Sequence, residues 1–350
     1  MAVDTNRLQT FLGKAVGDLG AAISAVLMSI GDELGYYKAL AKDALTPADL
    51  ARLTQTNERY AREWLNNQAA GGYVDYTPAT GKYHLNDEQA LCLADPNGPV
   101  DIPGAYLLVQ DLFHIRERAL QNFRTGGGME WGEHHACLFH GTERFFRAGY
   151  NAHLLGSWLP ALDGIAQKLD RGGRAADVGC GHGASTILLA KAYPNSEFVG
   201  YDYHPASIET ARQRAKAADA GNARFEVTDA TSYPGKDFDL IAFFDCLHDM
   251  SDPVGAARHA RDALKPDGNC MIVEPIAGDR VEDNLNPVGR IYYGASSLIC
   301  VPVSLARNGP ALGAQAGEKR LREIVVDKAG FKTMRRATET PFNIVLEARR

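Results

Sequence analysis

No pair of the six cysteines stands in a CxxC arrangement. Cys92, Cys137, Cys180, Cys246, Cys270 and Cys300 are widely spaced, most of them in apolar runs. This argues against a disulfide framework and predicts reduced, buried thiols in a cytoplasmic setting. Basic charge is not in excess either. Lys and Arg number 37 against 43 Asp and Glu, a net charge of −6. Phosphate neutralisation needs a surplus of cations, so neither nucleic acid nor an anionic membrane is expected as a partner. The first residues, with Asp4 and Arg7, lack a basic region followed by an apolar core and a cleavage site. The longest early apolar run, Ala21 to Ile30, contains serines and is too short to span a bilayer.

What is present is globular. The chain has 350 residues, 45% hydrophobic and 23% charged, which suits about two domains. Residues 5–40 carry an apolar residue every three or four positions, among them Leu8, Leu12, Leu19, Ile23 and Ile30, and predict helix. Thr46-Pro47-Ala48-Asp49 is a helix start, with Thr as cap, Pro in the first turn and Asp at the positive end of the dipole. A helix over about 58–70 follows and ends at Gly71-Gly72. Tyr73–Tyr76 and Lys82–Leu85, flanking Pro78–Gly81, form a hairpin. Helix, turn, helix, wing is a winged-helix pattern. A DNA reader would lay the second helix in the major groove, but the early charges there, Glu58, Arg59, Arg62 and Glu63, cancel. A packing or dimerisation module is the reading preferred.

Residues 93–170 are mostly helical. His134, His135, Cys137 and His140 lie close in sequence, but their spacing matches no standard zinc pattern. No metal is expected, and the segment is read as pocket wall or packing. From Arg174 strand and helix alternate, as in a doubly wound parallel sheet. The last two strands, Phe331–Ala337 and Phe342–Ala348, are joined by so short a link that they must pair antiparallel.

Asp177-Val178-Gly179-Cys180-Gly181-His182-Gly183 joins the first of these strands to a helix. Its glycines admit a close backbone approach, and the helix N-terminus offers free N–H groups. Gly179, Gly181 and Ala184 also satisfy the loose dinucleotide fingerprint, so the glycines alone do not choose a cofactor. The acids do. Asp177 ends the first strand and suits an ammonium better than a pyrophosphate. Asp202 ends the second and can accept both ribose hydroxyls. Asp229 ends the third, where it can accept from an adenine amino group while the Ala230 N–H donates to the ring. Ammonium, ribose and adenine in that order describe S-adenosylmethionine.

At these residues, together with Gly200-Tyr201-Asp202, Thr228-Asp229-Ala230 and Leu264-Lys265-Pro266-Asp267-Gly268, the sequence resembles the class I methyltransferases that use this cofactor. The whole chain is similar to the plant-type small-molecule O-methyltransferases. The resemblance implies a Rossmann-like seven-stranded α/β sheet with a C-terminal antiparallel hairpin, preceded by a winged-helix dimerisation domain. We place the dimerisation domain at 1–92, a helical linker contributing to the active site at 93–170, and the cofactor domain at 171–350. A homodimer and a small-molecule substrate follow from the same likeness. Cofactor contacts are expected from Asp177, Gly179, Gly181, Gly183, Asp202, Tyr203, Asp229, Ala230 and Asp245, with Tyr150 in the family's aromatic segment beside the cofactor.

The resemblance also carries a catalytic pair. His248, in His248-Asp249-Met250-Ser251-Asp252 after the fourth strand, matches the family's general base, and Glu274, ending the fifth strand, matches the carboxylate that orients it. Glu318 approximates a second supporting Glu. Residues 275–317, rich in Gly and Pro, are read as an acceptor-pocket wall, since so long a stretch in a compact domain is usually functional. Three alternatives stay open: an N, S or C acceptor atom, a winged-helix regulator responding to a metabolite, and a nicotinamide oxidoreductase.

Overall fold

The computed structural model describes residues 3–96 and 98–350. The chain forms two compact units, one from residues up to His114 together with His135–Gly149, the other from Ile115–His134 and Tyr150–Arg350.

In the first unit α1 (Thr5–Glu33) is capped by Asp4, whose carboxylate accepts from the Asn6 and Arg7 N–H groups. After α2 (Tyr36–Leu40) comes α3 (Pro47–Thr54), held by the expected reciprocal box of Thr46 and Asp49. Then follow α4 (Glu58–Ala70) and the wing strands β1 (Asp75–Thr77) and β2 (Lys82–His84), paired antiparallel. Trp64 of α4 anchors the core. Tyr36 and Tyr37 meet its ring edge-on, and its Nε1 donates to the Leu27 carbonyl at 2.7 Å. A buried indole with its N–H satisfied contributes a large apolar area without leaving an unmet donor. On α4, Arg59 pairs with Glu63 and Arg62 with Glu58, so the charges of the second helix do cancel. The unit continues with α5 (Asp87–Leu93) and α6 (Ile102–His114). Next, α7 (Arg116–Thr125) belongs to the second unit, and α8 (Ala136–His153) begins in the first.

The periodicity of α1 does not mark a core face. Phe11, Val16, Leu19 and Ile23 are 66%, 69%, 63% and 61% exposed, while its buried residues are Ser24, Ala25, Met28 and Gly31. The early apolar run Ala21–Ile30 is only part of this helix. Within an unbroken helix it extends to a stretch with mean hydropathy 1.5, long and apolar enough to cross a membrane by length and composition.

The second unit is built on a seven-stranded sheet. Its strands are β3 (Arg174–Val178), β4 (Glu197–Asp202), β5 (Ala223–Val227), β6 (Phe238–Phe244), β7 (Leu264–Pro275), β8 (Thr333–Glu339) and β9 (Asn343–Arg349). Spatially they run β5-β4-β3-β6-β7-β9-β8. The first five are parallel, and β9 inserts antiparallel between β7 and β8. The usual dinucleotide sheet has the order 3-2-1-4-5-6, so this inserted strand sets the fold apart. All seven β6 residues are buried, as expected for a strand covered on both faces.

One glycine is needed for packing. Gly183 has φ +77°, and a Cβ there would lie 2.7 Å from the Phe225 ring. Gly183→Ala is therefore expected to lower stability by ~2 kcal/mol through combined strain and overlap. Chemical denaturation would register this as a lower midpoint with an unchanged slope.

Residues 275–317, the Gly/Pro-rich stretch read as an acceptor-pocket wall, are largely helical. Asn286 caps Pro287–Ala295 by accepting the Gly289 N–H, and helical turns continue without a break to Ala306. Pro287 occupies the first turn, and Pro302 closely follows the wider π-type turns of Ser296–Cys300, where the run is not regular α-helix.

Candidate active site

The loop after β3 lies at the C-terminal edge of the parallel strands. Gly179, Gly181 and Gly183 all have positive φ (79°, 51° and 77°). The Gly179 and Cys180 N–H groups donate to the Tyr201 carbonyl at the end of β4. A Cβ on Gly179 would sit 2.7 Å from Cys246 Sγ, whereas Gly181 faces open space. The loops after β3 and β6 are thus in contact, and Cys246 Sγ donates to the Val178 carbonyl at 3.2 Å.

Asp177 lies beneath the first turn of helix Ala184–Ala192. Its Oδ2 accepts from Ser185 Oγ and Thr186 Oγ1, both at 2.6 Å, while its buried Oδ1 has no hydrogen-bond partner. Burial pushes its pKa up to about 6, against the lowering effect of the two hydroxyls. At neutral pH it is a buried anion with one unmet oxygen, which a cation would satisfy. Asp202 accepts from Gly181 N at 2.9 Å and His204 N at 2.8 Å, tying β4 to the glycine loop. Burial raises its pKa, and the two N–H groups oppose that rise.

Asp229 is engaged differently from expectation. Its Oδ1 accepts from Thr231 N and Oγ1, and its Oδ2 is 3.5 Å from Arg307. Despite partial burial, Thr231 and Arg307 hold its pKa below the usual carboxylate value. The Arg307 guanidinium lies 5.0 Å over the Tyr203 ring. Arg307, remote in sequence from Asp229, is not among the site residues expected from the sequence. Ala230 packs against the core of the unit.

The next strand ends carry a second cluster. Asp245 has the unusual φ of 52° for a non-glycine residue, which marks a site of stored strain. It accepts from Asn343 Nδ2 at 2.6 Å, and the Tyr150 hydroxyl is hydrogen-bonded to it as well. Burial raises its pKa well above the ordinary carboxylate value, and the Glu274 charge adds to the rise. The Tyr150 ring packs against Phe244 and Trp158. Asp245 and Tyr150, both expected at the cofactor, therefore meet each other.

His248 is 4% exposed and Glu274 2%. His248 Nδ1 is 2.5 Å from Glu274 Oε2, and the other Glu274 oxygen accepts the Leu247 N–H at 2.9 Å. The carboxylate thus fixes the imidazole and its own backbone support at once. On the opposite side of the ring, His248 Nε2 is 3.3 Å from Cys300 Sγ. Burial by itself would depress the His248 pKa, but the Glu274 carboxylate and the Cys300 sulfur hold it well above its ordinary value. Neighbouring Asp249 is pushed up to about 7 by burial. Asp252 caps the helix that starts at Pro253, accepting the Gly255 N–H. Cys300 and Asn343 were not anticipated. Glu318, the approximate second support, instead pairs with Arg336 at 2.9 Å. In the insertion, the Pro302 carbonyl accepts the Met129 N–H at 3.0 Å.

Comparison with known proteins bears on the domains and the fold. Residues 169–321 match the family described as Methyltransferase domain, and residues 21–95 match the Rv2258c-like winged HTH domain. Over 99 residues the chain is 34% identical to malonyl-[acyl-carrier protein] O-methyltransferase of Paenibacillus sp. (strain JDR-2), a match covering 27% of this chain and 36% of that protein. It is 36% identical over 108 residues to 27-O-demethylrifamycin SV methyltransferase of Amycolatopsis mediterranei, covering 30% and 39%. The chain thus spans well under half the length of these curated relatives. Whole-chain similarity appears among solved structures. Mitomycin 7-O-methyltransferase MmcR has a TM-score of 0.67 at 20% identity, covering 99% of this chain and 100% of that one. Human N-acetylserotonin methyltransferase, solved with S-adenosylmethionine, scores 0.69 at 17% identity, covering 99% and 98%. At those identities the likeness shows a shared fold.

Proposed function

With residues 169–321 a methyltransferase domain that uses S-adenosylmethionine, and residues 21–95 a winged helix-turn-helix domain, we propose that this chain methylates an oxygen of a small molecule with His248 as general base. The observation that carries the reading is the buried Glu274–His248 pair at the sheet edge that also holds Asp177 and the glycine loop. The residues present fit the cofactor. The unmet Oδ1 of Asp177 suits its ammonium, the open face of Gly181 admits backbone contact, and Asp202, beside the glycine loop, would accept the ribose hydroxyls. Gly179, Gly183, Tyr203, Asp229, Ala230 and Asp245 complete the proposed set. The sulfonium supplies an electrophilic methyl group, transferred in line to a nucleophile. The protein's part is to exclude water, position the acceptor and accept its proton. A phenol, with a pKa near ~10, benefits from such a base. Cys300 occupies the Nε2 side of the ring, where the acceptor's proton would arrive, so the acceptor must displace or share that contact.

A turnover screen with the methyl donor against phenols, carboxylic acids, amines and thiols, read by mass spectrometry, tests the acceptor class. Methylated phenols or carboxylates support the reading, and products confined to amines or thiols contradict it. The proposed base also has a pH signature. Glu274 stabilises the imidazolium, so the free base is gained only as pH rises, and turnover should rise with it. Removing that anion lowers the His248 pKa. Glu274→Gln should therefore shift the acid limb of the kcat–pH profile to lower pH while reducing kcat. An unmoved limb would leave Glu274 a packing residue.

The dimer belongs to the same proposal. The exposed apolar residues of α1 are supported as a contact for a second copy. Light scattering after size exclusion should give twice the 37.9 kDa chain mass. Val16→Glu with Leu19→Glu should return it to the chain mass, whereas a monomeric wild type would refute the dimer. The unpaired state of all six cysteines agrees with a cytoplasmic setting, which is part of this reading.

A further inference from the structure

The His/Cys segment after Trp131 takes no part in the site above. The fold changes which of its residues stand together. His135 and Cys137, at the start of α8, are joined not by His134 or His140 but by His114, the last residue of α6. All three belong to the first unit. One ligand-type atom from each lies within 4.8 Å of the others. The His114 and His135 rings stack with centroids 4.8 Å apart, and His135 Nδ1 is 3.1 Å from Cys137 Sγ.

The donor set is two imidazoles and one thiol, which suits zinc and its neighbours and does not suit magnesium or calcium. With metal–nitrogen and metal–sulfur bonds of ~2.0 and ~2.3 Å, a shared tetrahedral cation sets nitrogen and sulfur about 3.5 Å apart. His135 and Cys137 are already close to that spacing. His114 is exposed, and its ring stacks on His135, which keeps it beside the other two donors. Asp111, one turn earlier on α6, is fully buried, and its Oδ1 accepts the His135 backbone N–H at 2.8 Å. That carboxylate anchors the His135 backbone at the start of α8, beside the end of α6.

We propose that His114, His135 and Cys137 form a binding site for a divalent transition metal of the zinc class, which fastens the end of α6 to the start of α8. Three protein donors leave the fourth position to water. The expected absence of a metal rested on sequence spacing alone, which could not bring in His114.

The test uses the full chain, purified without a histidine tag and titrated with cobalt(II). About one equivalent should bind, with the visible spectrum of a tetrahedral ion and a thiolate-to-cobalt charge-transfer band, and zinc should displace it. Cys137→Ser should abolish the charge-transfer band. His114→Ala alters only an exposed side chain, so folding is not at risk. It should weaken cobalt affinity by more than ~10-fold, since even outer partners are worth ~10–100-fold. His134→Ala and His140→Ala should leave both readouts unchanged. A wild type with no charge-transfer band overturns the site. So does a band that survives Cys137→Ser, or an affinity indifferent to His114→Ala.

Discussion

His248→Ala is expected to lower kcat by ~10²–10⁴-fold, the usual contribution of a positioned general base, while S-adenosylmethionine affinity stays nearly unchanged. His248 is separated from Asp177 and Asp202 in function. Its own contacts are Glu274 on Nδ1 and Cys300 on Nε2, and neither was assigned to the cofactor. Truncation also leaves a buried carboxylate without its partner, which costs stability. His248→Gln, which keeps a donor toward Glu274, separates the two effects. A folded Gln variant should still lack turnover, because an amide takes no proton. Single-turnover kinetics with saturating donor would measure the chemical step directly. Wild-type turnover in either variant would make the histidine structural.

Asp177→Asn should weaken S-adenosylmethionine binding by ~10–100-fold, the loss of one charge-assisted hydrogen bond of ~1.5–3 kcal/mol. The substitution keeps the shape and removes the charge from a fully buried position. A pH dependence accompanies it. The folded-state pKa of Asp177 is raised to about 6, so the ionised form needed by an ammonium is present above that pH and lost below it. Wild-type affinity should therefore fall as pH drops through about 6, binding below that pH releasing a proton to solution, whereas the Asn variant should show no such step there. Isothermal titration at several pH values checks both points. Equal affinities at neutral pH would remove Asp177 from the cofactor site.

Some of this site was legible because it is local. Three glycines with positive φ and an acid two residues before them are adjacent in sequence, so pattern alone reveals them. The His248–Glu274 pair was legible through topology. β6 and β7 are parallel neighbours with Phe244 opposite Val273, so His248, just past β6, and Glu274, near the end of β7, share one edge. Cys300, Arg307 and Asn343 were not legible. Cys300 lies within, and Arg307 just after, a helical run whose glycines and prolines disguise its period, and only packing decides what that run covers. Asn343 reaches Asp245 because β9 runs antiparallel along β7, placing Asn343 opposite Pro275. The apolar period of α1 predicted helix correctly but carried no information on which face is covered.

Direct calorimetric titration with S-adenosylmethionine, its demethylated product and NAD addresses the central claim, because the glycine loop taken alone would suit either cofactor class. Saturable one-to-one binding of S-adenosylmethionine and its product, with no heat from NAD, is the predicted result. Tight NAD binding with no response to S-adenosylmethionine would contradict it.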